Sequence, residues 1–139
     1  PDHRALETGG PGRNPQVRMI PRPLRIAVFI LGCMVILWLS LAPTENLPSV
    51  SLWDKLEHAI AYLGLAVLGA AAFPNHLWRM AGSLFTFGVG AEVFQASMAL
   101  GRQGDPADAL ANTAGIAAGL LLTRAIGELI KAGSPAGGD

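Results

Sequence analysis

The stretch Trp53-Asp54-Lys55-Leu56-Glu57-His58, which leads on to Tyr62, decides the fold of this chain. It places acidic, basic, imidazole and phenol groups at the start of an apolar segment that continues to residue 73. In a helix over residues 53–73, Asp54, His58 and Tyr62 share one face because residues four apart stack on each other. A charged side chain costs roughly 3 kcal/mol at the centre of a bilayer. We therefore expect these groups to meet polar partners.

The composition indicates a membrane protein with a single domain. Of the 139 residues, 51% are apolar and 14% are charged, against about 25% charged residues in ordinary soluble domains. The formal net charge is zero, so no basic surface for nucleic acid is expected. Cys33 lies in an apolar run, and we interpret it as a small hydrophobic residue.

Four apolar segments predict four transmembrane helices within a domain of residues 24–131. Their predicted bounds are 24–42, 53–73, 77–100 and 107–130, each long enough to cross a hydrocarbon core of about 30 Å. The breaks between them contain Pro43, Pro74 and the loop before Pro106, where helices end or begin. Residues 1–23, rich in Pro, Gly and Arg, are expected to form a disordered or surface tail, and residues 132–139 a flexible one.

The first apolar segment has a second interpretation. Ser40-Leu41-Ala42 has the small-x-small pattern of a signal-peptide cleavage site. The apolar run from residue 26 to residue 42 is longer than the roughly 7–15 residues of a typical signal core. We therefore favour a membrane-spanning helix, although the sequence leaves cleavage open.

The positions of Lys and Arg predict the orientation of the chain. Five arginines lie in the first 25 residues, Arg79 follows the second helix, and Arg124 and Lys131 lie near the C-terminal end. By the positive-inside bias, both termini are expected in the cytoplasm. The predicted fold is thus an all-α, integral membrane four-helix bundle with up-down-up-down topology.

In this topology, polar residues from distant parts of the chain meet at the outer end of the bundle. Glu92, eight residues before Leu100, lies about 12 Å inside its helix at 1.5 Å per residue. An unpaired carboxylate at that depth binds a cation or takes up a proton. The residues expected to line the pocket are Asp54, Lys55, His58, Tyr62, Glu92, Gln95, Arg102, Asp108 and Asn112.

Small residues indicate that the helices approach one another closely. Gly115-Ile-Ala-Ala-Gly119 is a small-xxx-small pattern, which lets helix backbones pack together in lipid. We interpret these glycines as structural, together with the small residues of the second and third helices. Those residues are Gly64, Ala66, Gly69, Ala70, Gly82, Gly88, Gly90 and Ala91.

The joint pattern resembles the VanZ-like family of small membrane proteins, over about residues 53–120. It consists of Asp54-Lys55-x-x-His58 with Tyr62, Glu92-x-x-Gln95, Arg102 six residues before Asp108, and Asn112 with Gly115. The chain departs from the family at Ala59, where an aromatic residue is common, and Asp105 is not assigned to a family position. The family is associated with glycopeptide (teicoplanin) resistance and the bacterial cell envelope. The resemblance implies a multi-pass protein of the bacterial inner (cytoplasmic) membrane that handles or shields a lipid-linked cell-wall precursor or another envelope lipid.

Three functions fit this pocket. The first is a binding protein that recognises an anionic, lipid-linked head group, with Arg102 contacting a phosphate or carboxylate. The second is an enzyme acting on such a lipid, with His58 or Glu92 as the candidate catalytic acid or base. The third is an accessory or structural subunit of a larger membrane protein complex. We favour binding without catalysis.

Each polar residue also has a structural interpretation. Glu92 is equally consistent with a clamp to Arg102 or Gln95, and Asp54 and Arg102 are equally consistent with an ion pair between loops. His58 is consistent with a hydrogen bond between helices, and Lys55 with a side chain that extends to the interface. Asn112 is interpreted as a hydrogen-bonding contact across helices.

Neither a metal nor another cofactor is expected. His58, Glu92, Asp54 and Asp108 form a set of possible ligands, but no HExxH motif or Cys pair is present, and Lys55 and Arg102 repel a cation. A serine hydrolase is disfavoured because no nucleophile elbow surrounds Ser97.

Overall fold

The computed structural model describes residues 20–41, 52–97 and 105–133. Within these residues the chain forms four α-helices and no strand, as the all-α prediction requires. The helices are α1 (Arg22–Leu41), α2 (Leu52–Ala72), α3 (Leu77–Ser97) and α4 (Pro106–Gly133). Where the bounds can be compared, the largest difference from the prediction is at the end of α4, which reaches Gly133 rather than residue 130. Residues 98–100, predicted to belong to the third helix, lie outside the described residues, as do 1–19 and 134–139 of the predicted tails.

The start of α4 is fixed by its own sequence. Pro106 occupies the first helical position, where its missing N–H costs no hydrogen bond. Asp105 is the N-cap residue: its Oδ1 accepts a hydrogen bond from the Ala107 N–H at 2.9 Å, and its carbonyl accepts one from the Asp108 N–H at 2.8 Å. These contacts satisfy backbone donors that a helix leaves free at its first turn.

A tight turn joins α2 to α3. Pro74 follows Phe73 and ends α2, since proline disfavours a helical conformation at the preceding residue. The His76 N–H then donates to the Phe73 carbonyl at 3.0 Å, which closes the turn and lets α3 begin at Leu77. The short connection makes α2 and α3 antiparallel neighbours.

Side-chain contacts show which helix ends lie together. Lys55 of α2 contacts Asp108 of α4, and the Gln95 amide of α3 donates to the Ser40 carbonyl of α1. We call this end of the bundle, formed by the starts of α2 and α4 and the ends of α1 and α3, the cluster end. At the other end, Arg25 Nη1 donates to the Ala71 carbonyl at 2.7 Å. Hence α2 and α4 run in the same direction, and α1 and α3 run in the opposite one.

The closest packing is between the parallel helices α2 and α4. Gly115 lies directly against the Ala59 carbonyl, and a Cβ added at Gly119 comes within 2.7 Å of both the Leu63 carbonyl and the Ala66 Cβ. The structural interpretation of these two glycines is confirmed. Gly69 is also packed, against the Met80 side chain.

Three other glycines do not have the predicted packing role. A Cβ added at Gly64, Gly82 or Gly90 meets nothing within 4 Å among the described residues. The prediction for these positions is wrong because composition shows that a residue is small but not which way its helix face points.

The core is small, and the outside of the bundle is apolar. The buried apolar cluster consists of Tyr62, Leu65, Ala66, Ala70, Met80, Leu84 and Ile116. No residue of α1 is buried, and large apolar side chains from all four helices are exposed. Trp38 and Trp53 are exposed near the cluster end and Trp78 near the opposite end, the positions that tryptophan favours at the two membrane interfaces.

Three of the four helices are long and apolar enough to cross a membrane: Arg22–Leu41, Trp53–Ala72 and Pro106–Gly133. The described part of α3 does not meet the same criteria, since it contains Arg79, Glu92, Gln95 and many small residues. The sequence analysis predicted four transmembrane helices, and the length and composition of the described helices support three of them.

Candidate functional site

Lys55 links the starts of α2 and α4. Its Nζ donates to Asp105 Oδ2 at 2.7 Å and to Asp108 Oδ1 at 2.9 Å. Lys55 is half-buried, whereas Asp108 is only 8% exposed. Beyond the predicted extension to the interface, the Lys55 ammonium group binds the carboxylates of Asp105 and Asp108 at the start of α4.

Asp105 connects three parts of the site. Its carboxylate binds Lys55 and caps α4, and its backbone N–H donates to Glu92 Oε2 of α3 at 3.3 Å. The hydrogen bond from Lys55, followed by the one from the Ala107 N–H, lowers the pKa of the Asp105 carboxyl. The sequence analysis did not include Asp105 in the site. The signal available there was the Asp-Pro pair at the start of a helix, which marks Asp105 as an N-cap residue.

His58 is held by Asn112 across the α2 and α4 contact. The distance from His58 Nδ1 to Asn112 Oδ1 is 3.1 Å, and Asn112 is only 3% exposed. An amide oxygen accepts only, so Nδ1 is the donor, and in the neutral imidazole Nε2 then carries the lone pair. The predicted contact between helices through Asn112 is confirmed, and it orients the imidazole.

Gly88 of α3 packs closely against side chains of α2 and α4. A Cβ added at Gly88 lies 3.1 Å from the Tyr62 hydroxyl and 3.2 Å from the Asn112 side-chain nitrogen. Any larger residue at position 88 therefore displaces one of these groups. Tyr62 is itself part of the buried core, with its ring 6.4 Å from that of Phe87.

Glu92 and Gln95 of α3 lie at the cluster end, where their side chains contact Asp105 and Ser40. Both side chains are buried. Gln95 donates its amide hydrogen to the Ser40 carbonyl, so α1 also reaches the site, which the sequence analysis did not predict. Among the described residues, Glu92 Oε2 accepts a hydrogen bond from the Asp105 backbone N–H, and the predicted clamp to Arg102 stays a prediction. Arg102 lies outside the described residues.

The described residues thus form one polar cluster at the cluster end. We define this polar cluster as Asp54, Lys55, His58, Glu92, Asp105, Asp108 and Asn112. Ligand atoms of Asp54, His58 and Asp108 all lie within 4.8 Å of one another. Of the nine residues predicted to line the pocket, all except Arg102 are described. Tyr62 belongs to the core beneath the cluster rather than to its surface.

The polar cluster is acidic. It contains four carboxylates and, besides His58, one basic side chain, that of Lys55. Buried carboxylates need cations, protons or several hydrogen bonds to remain in place. The described charges therefore suit a cationic group directly, and an anionic group only if a further positive charge accompanies it.

A separate open groove lies along α3, toward the opposite end of the bundle. It is lined by Arg79, Gly82, Ser83, Thr86 and Phe87. The Ser83 and Thr86 hydroxyls donate to the Arg79 and Gly82 carbonyls of the same helix, both at 2.9 Å. This groove contains no residue of the polar cluster.

None of the protein-family models, curated proteins or solved structures compared with this chain matches it. The likeness to the VanZ-like family therefore rests on the residues quoted above.

Proposed function

We propose that this chain is a VanZ-like small membrane protein that binds the polar head group of a cell-envelope lipid at the outer face of a bacterial cytoplasmic membrane. The observation that carries the proposal is the position of the polar cluster, at one end of a bundle whose sides are exposed and apolar. A lipid has the same division, with a polar head group and apolar chains. The head group is then placed at the polar cluster and the chains along the helices.

The distribution of charge supports the proposed orientation. Five of the six described lysines and arginines lie toward the end opposite the polar cluster: Arg22, Arg25, Arg79, Arg124 and Lys131. Five of the six described carboxylates lie toward the cluster end: Asp54, Glu57, Glu92, Asp105 and Asp108. Because basic residues remain preferentially in the cytoplasm, the cluster end is assigned to the outside and both termini to the cytoplasm.

The proposed ligand is an anionic, lipid-linked group such as a cell-wall precursor. Its anionic part is assigned to Arg102, whose guanidinium can form paired hydrogen bonds with a phosphate or carboxylate. Arg102 is in the connection between α3 and α4, next to the start of α4 where Asp105 and Asp108 lie. The contact with Arg102 stays a prediction from the sequence.

Native mass spectrometry of protein gently extracted from its own membrane tests this proposal. The wild type is compared with Glu92→Gln, Arg102→Ala and the control Glu57→Gln, which changes an exposed carboxylate in the first turns of α2. We expect a lipid-linked anion bound to the wild type and to the control, less of it bound to Arg102→Ala, and a changed amount bound to Glu92→Gln. Equal lipid in all four proteins, or none in the wild type, contradicts the proposal.

A second function, as an accessory subunit of a larger membrane complex, is compatible with the exposed surface of α1. No residue of this helix is buried, and Leu31, Met34 and Trp38 are exposed on it. Such a surface fits either lipid or a partner helix. The same experiment separates the two: a protein partner retained by all four proteins, without a bound lipid, supports the accessory role.

A further inference from the structure

We propose that Asp54, His58 and Asp108 bind a divalent transition-metal cation, with Zn²⁺ as the best fit to the ligand types. Each residue offers one ligand atom, and these three atoms lie within 4.8 Å of one another. Asp54 and His58 are one turn apart on α2, and Asp108 comes from the first turn of α4. The inference deepens the proposed function, on which it rests, because it adds a second positive charge, besides that of Arg102, for an anionic head group.

The ligand spacing suits a metal after a small side-chain adjustment. A tetrahedral Zn²⁺ ion with ligand distances of about 2.1 Å holds its ligand atoms about 3.4 Å apart. The three atoms must therefore approach one another by at most about 1.4 Å, a movement that side-chain rotation supplies. Three protein ligands leave the fourth position for water or for an oxygen of the head group, as in zinc sites that bind substrates.

His58 has the orientation of a metal ligand. Its Nδ1 is engaged by Asn112 Oδ1 at 3.1 Å, which leaves the Nε2 lone pair for a cation. Metal-bound histidines usually donate their other ring N–H to a carboxylate or carbonyl oxygen, which fixes the tautomer. Asn112 is buried and is therefore a suitable positioning residue.

The charge of the polar cluster favours a cation. Among the described side chains of the cluster, four are carboxylates and one, that of Lys55, is an ammonium group. A divalent cation offsets two of the negative charges. An oxygen of the anionic head group can then bind the metal, which lies between it and the carboxylates.

Lys55, which together with Arg102 argued against a metal at the level of sequence, has a second partner. Its Nζ binds both Asp105 and Asp108, at 2.7 and 2.9 Å. When a metal binds Asp108, Lys55 keeps its ion pair with Asp105, which is more exposed and caps α4. Lys55 therefore competes with the metal for Asp108 without blocking it.

The ligand types also predict selectivity among metals. An imidazole with two carboxylates suits Zn²⁺ and similar transition metals. Ca²⁺ takes six to eight oxygen ligands, so a site with one nitrogen and two carboxylates binds it weakly. Zn²⁺ is therefore expected to bind more tightly than Ca²⁺.

Isothermal titration calorimetry on chelator-treated, detergent-purified full-length protein tests the site with Zn²⁺ and Ca²⁺ alone. Loss of a residue that only supports a metal ligand costs about 10- to 100-fold in metal affinity. Loss of a ligand itself should cost at least as much, so we expect His58→Gln and Asp54→Asn to weaken Zn²⁺ binding at least about tenfold. Lys55→Met is expected to tighten it, because the competing ammonium is gone. Glu57→Gln is the matched control and should equal the wild type.

The outcomes separate this inference from the proposed function. A stoichiometric Zn²⁺ site that follows the expected order of variants supports the metal site even if no lipid copurifies. Absence of Zn²⁺ binding, or binding that none of the variants alters, overturns it even if native mass spectrometry finds the lipid. If both hold, EDTA treatment should release the lipid-linked anion from the wild type.

Discussion

At the scale of single residues, Asp105 serves both the helix and the site. Its carboxylate caps α4 and binds Lys55, while its backbone N–H contacts Glu92. Capping, ion pairing and contact with α3 therefore depend on one position. Asparagine is as good an N-cap as aspartate but carries no charge. The substitution Asp105→Asn therefore removes the ion pair with Lys55 and keeps the helix cap.

Asp105→Asn should change the dependence of stability on pH. The folded protein lowers the pKa of Asp105, so its ion pair stabilises the fold fully above the unfolded-state pKa of about 3.9. This stabilisation is lost as the pH falls through the lower folded pKa. We expect the variant to be less stable than the wild type at pH 7, with the difference disappearing in acid. Denaturation in detergent between pH 7 and pH 2 measures it.

The control for this prediction is Glu128→Gln, which removes an exposed pair with Lys131 on α4. Such a pair contributes little to stability, so this variant should follow the wild type. A stability difference for Asp105→Asn that is the same at every pH contradicts the role of the ion pair.

Glu92→Gln should leave the fold intact and change ligand binding. Glutamine keeps a side-chain oxygen that accepts the hydrogen bond from the Asp105 N–H, now made by Glu92 Oε2 at 3.3 Å. Only the charge and the ability to take up a proton are lost. The melting temperature in detergent should stay within a few degrees of the wild type while the amount of retained lipid changes. A large loss of melting temperature instead indicates that Glu92 mainly holds the helices together.

The sequence predicted most of the site but not how its parts are connected. The spacing of Asp54, His58, Asp108 and Asn112 on two helices was sufficient to place them together. The Gln95 contact with Ser40 was not predictable, because it depends on how far α1 and α3 are shifted along each other. That shift is set by tertiary packing and leaves no periodic signal in either helix.

At the scale of helices, α2 and α4 contact each other closely because Gly115 and Gly119 have no side chains. Gly115 and Gly119 let α4 lie against the α2 backbone at Ala59 and Leu63. Close backbone approach of this kind is a main source of helix association in lipid. The same contact sets the positions of Asp108 and Asn112 relative to Lys55 and His58.

Gly115→Ala should separate α2 from α4. The added methyl group collides with the Ala59 carbonyl, which belongs to a helix backbone and cannot rotate away. Overpacking of this kind costs about 1–3 kcal/mol. Unfolding in detergent measures the loss, and lipid retention should fall with it because the polar cluster opens.

Gly127→Ala is the matched control on the same helix. A Cβ at position 127 meets nothing within 4 Å among the described residues, and alanine is a better helix former than glycine by about 1 kcal/mol. This variant should be as stable as the wild type or more stable. Equal destabilisation by both substitutions shows that the loss has a cause other than the α2 and α4 contact.

The helix bounds were predictable where the sequence contains a proline or a cap. Pro74 and Pro106 placed the end of α2 and the start of α4 to within one residue. The C-terminal end of α4 continues past the predicted residue 130 to Gly133. No proline or cap marks residue 130, and the pair of Glu128 with Lys131 spans it, so composition alone ended the helix too early.

At the scale of the whole molecule, charge divides the bundle into an acidic end and a basic end. Because the helices alternate in direction, the starts of α1 and α3 lie at the same end as the end of α4. The basic residues of these three segments therefore share one end of the bundle. At the basic end, the Arg124 guanidinium lies 5.8 Å from the centre of the Trp78 ring. Arginine and tryptophan together are typical of a membrane interface.

Reporter fusions should locate the basic end in the cytoplasm. Fusions of a cytoplasm-active and a periplasm-active reporter at Pro74 and at Lys131 are both expected to give the cytoplasmic signal. A third fusion at Gly104, which directly precedes Asp105 in the sequence, should give the opposite result. A periplasmic signal at Pro74 or Lys131 contradicts the proposed orientation and assigns the polar cluster to the inner face.

The glycine contact between α2 and α4 has one more consequence, for the entropy of binding. Because Gly115 and Gly119 hold the two backbones together below the polar cluster, the backbone order that a ligand needs is already established on folding. A ligand then restricts only a few side chains, at about 0.5–1.5 kcal/mol for each flexible one. The site is preorganised by residues that never touch what it binds.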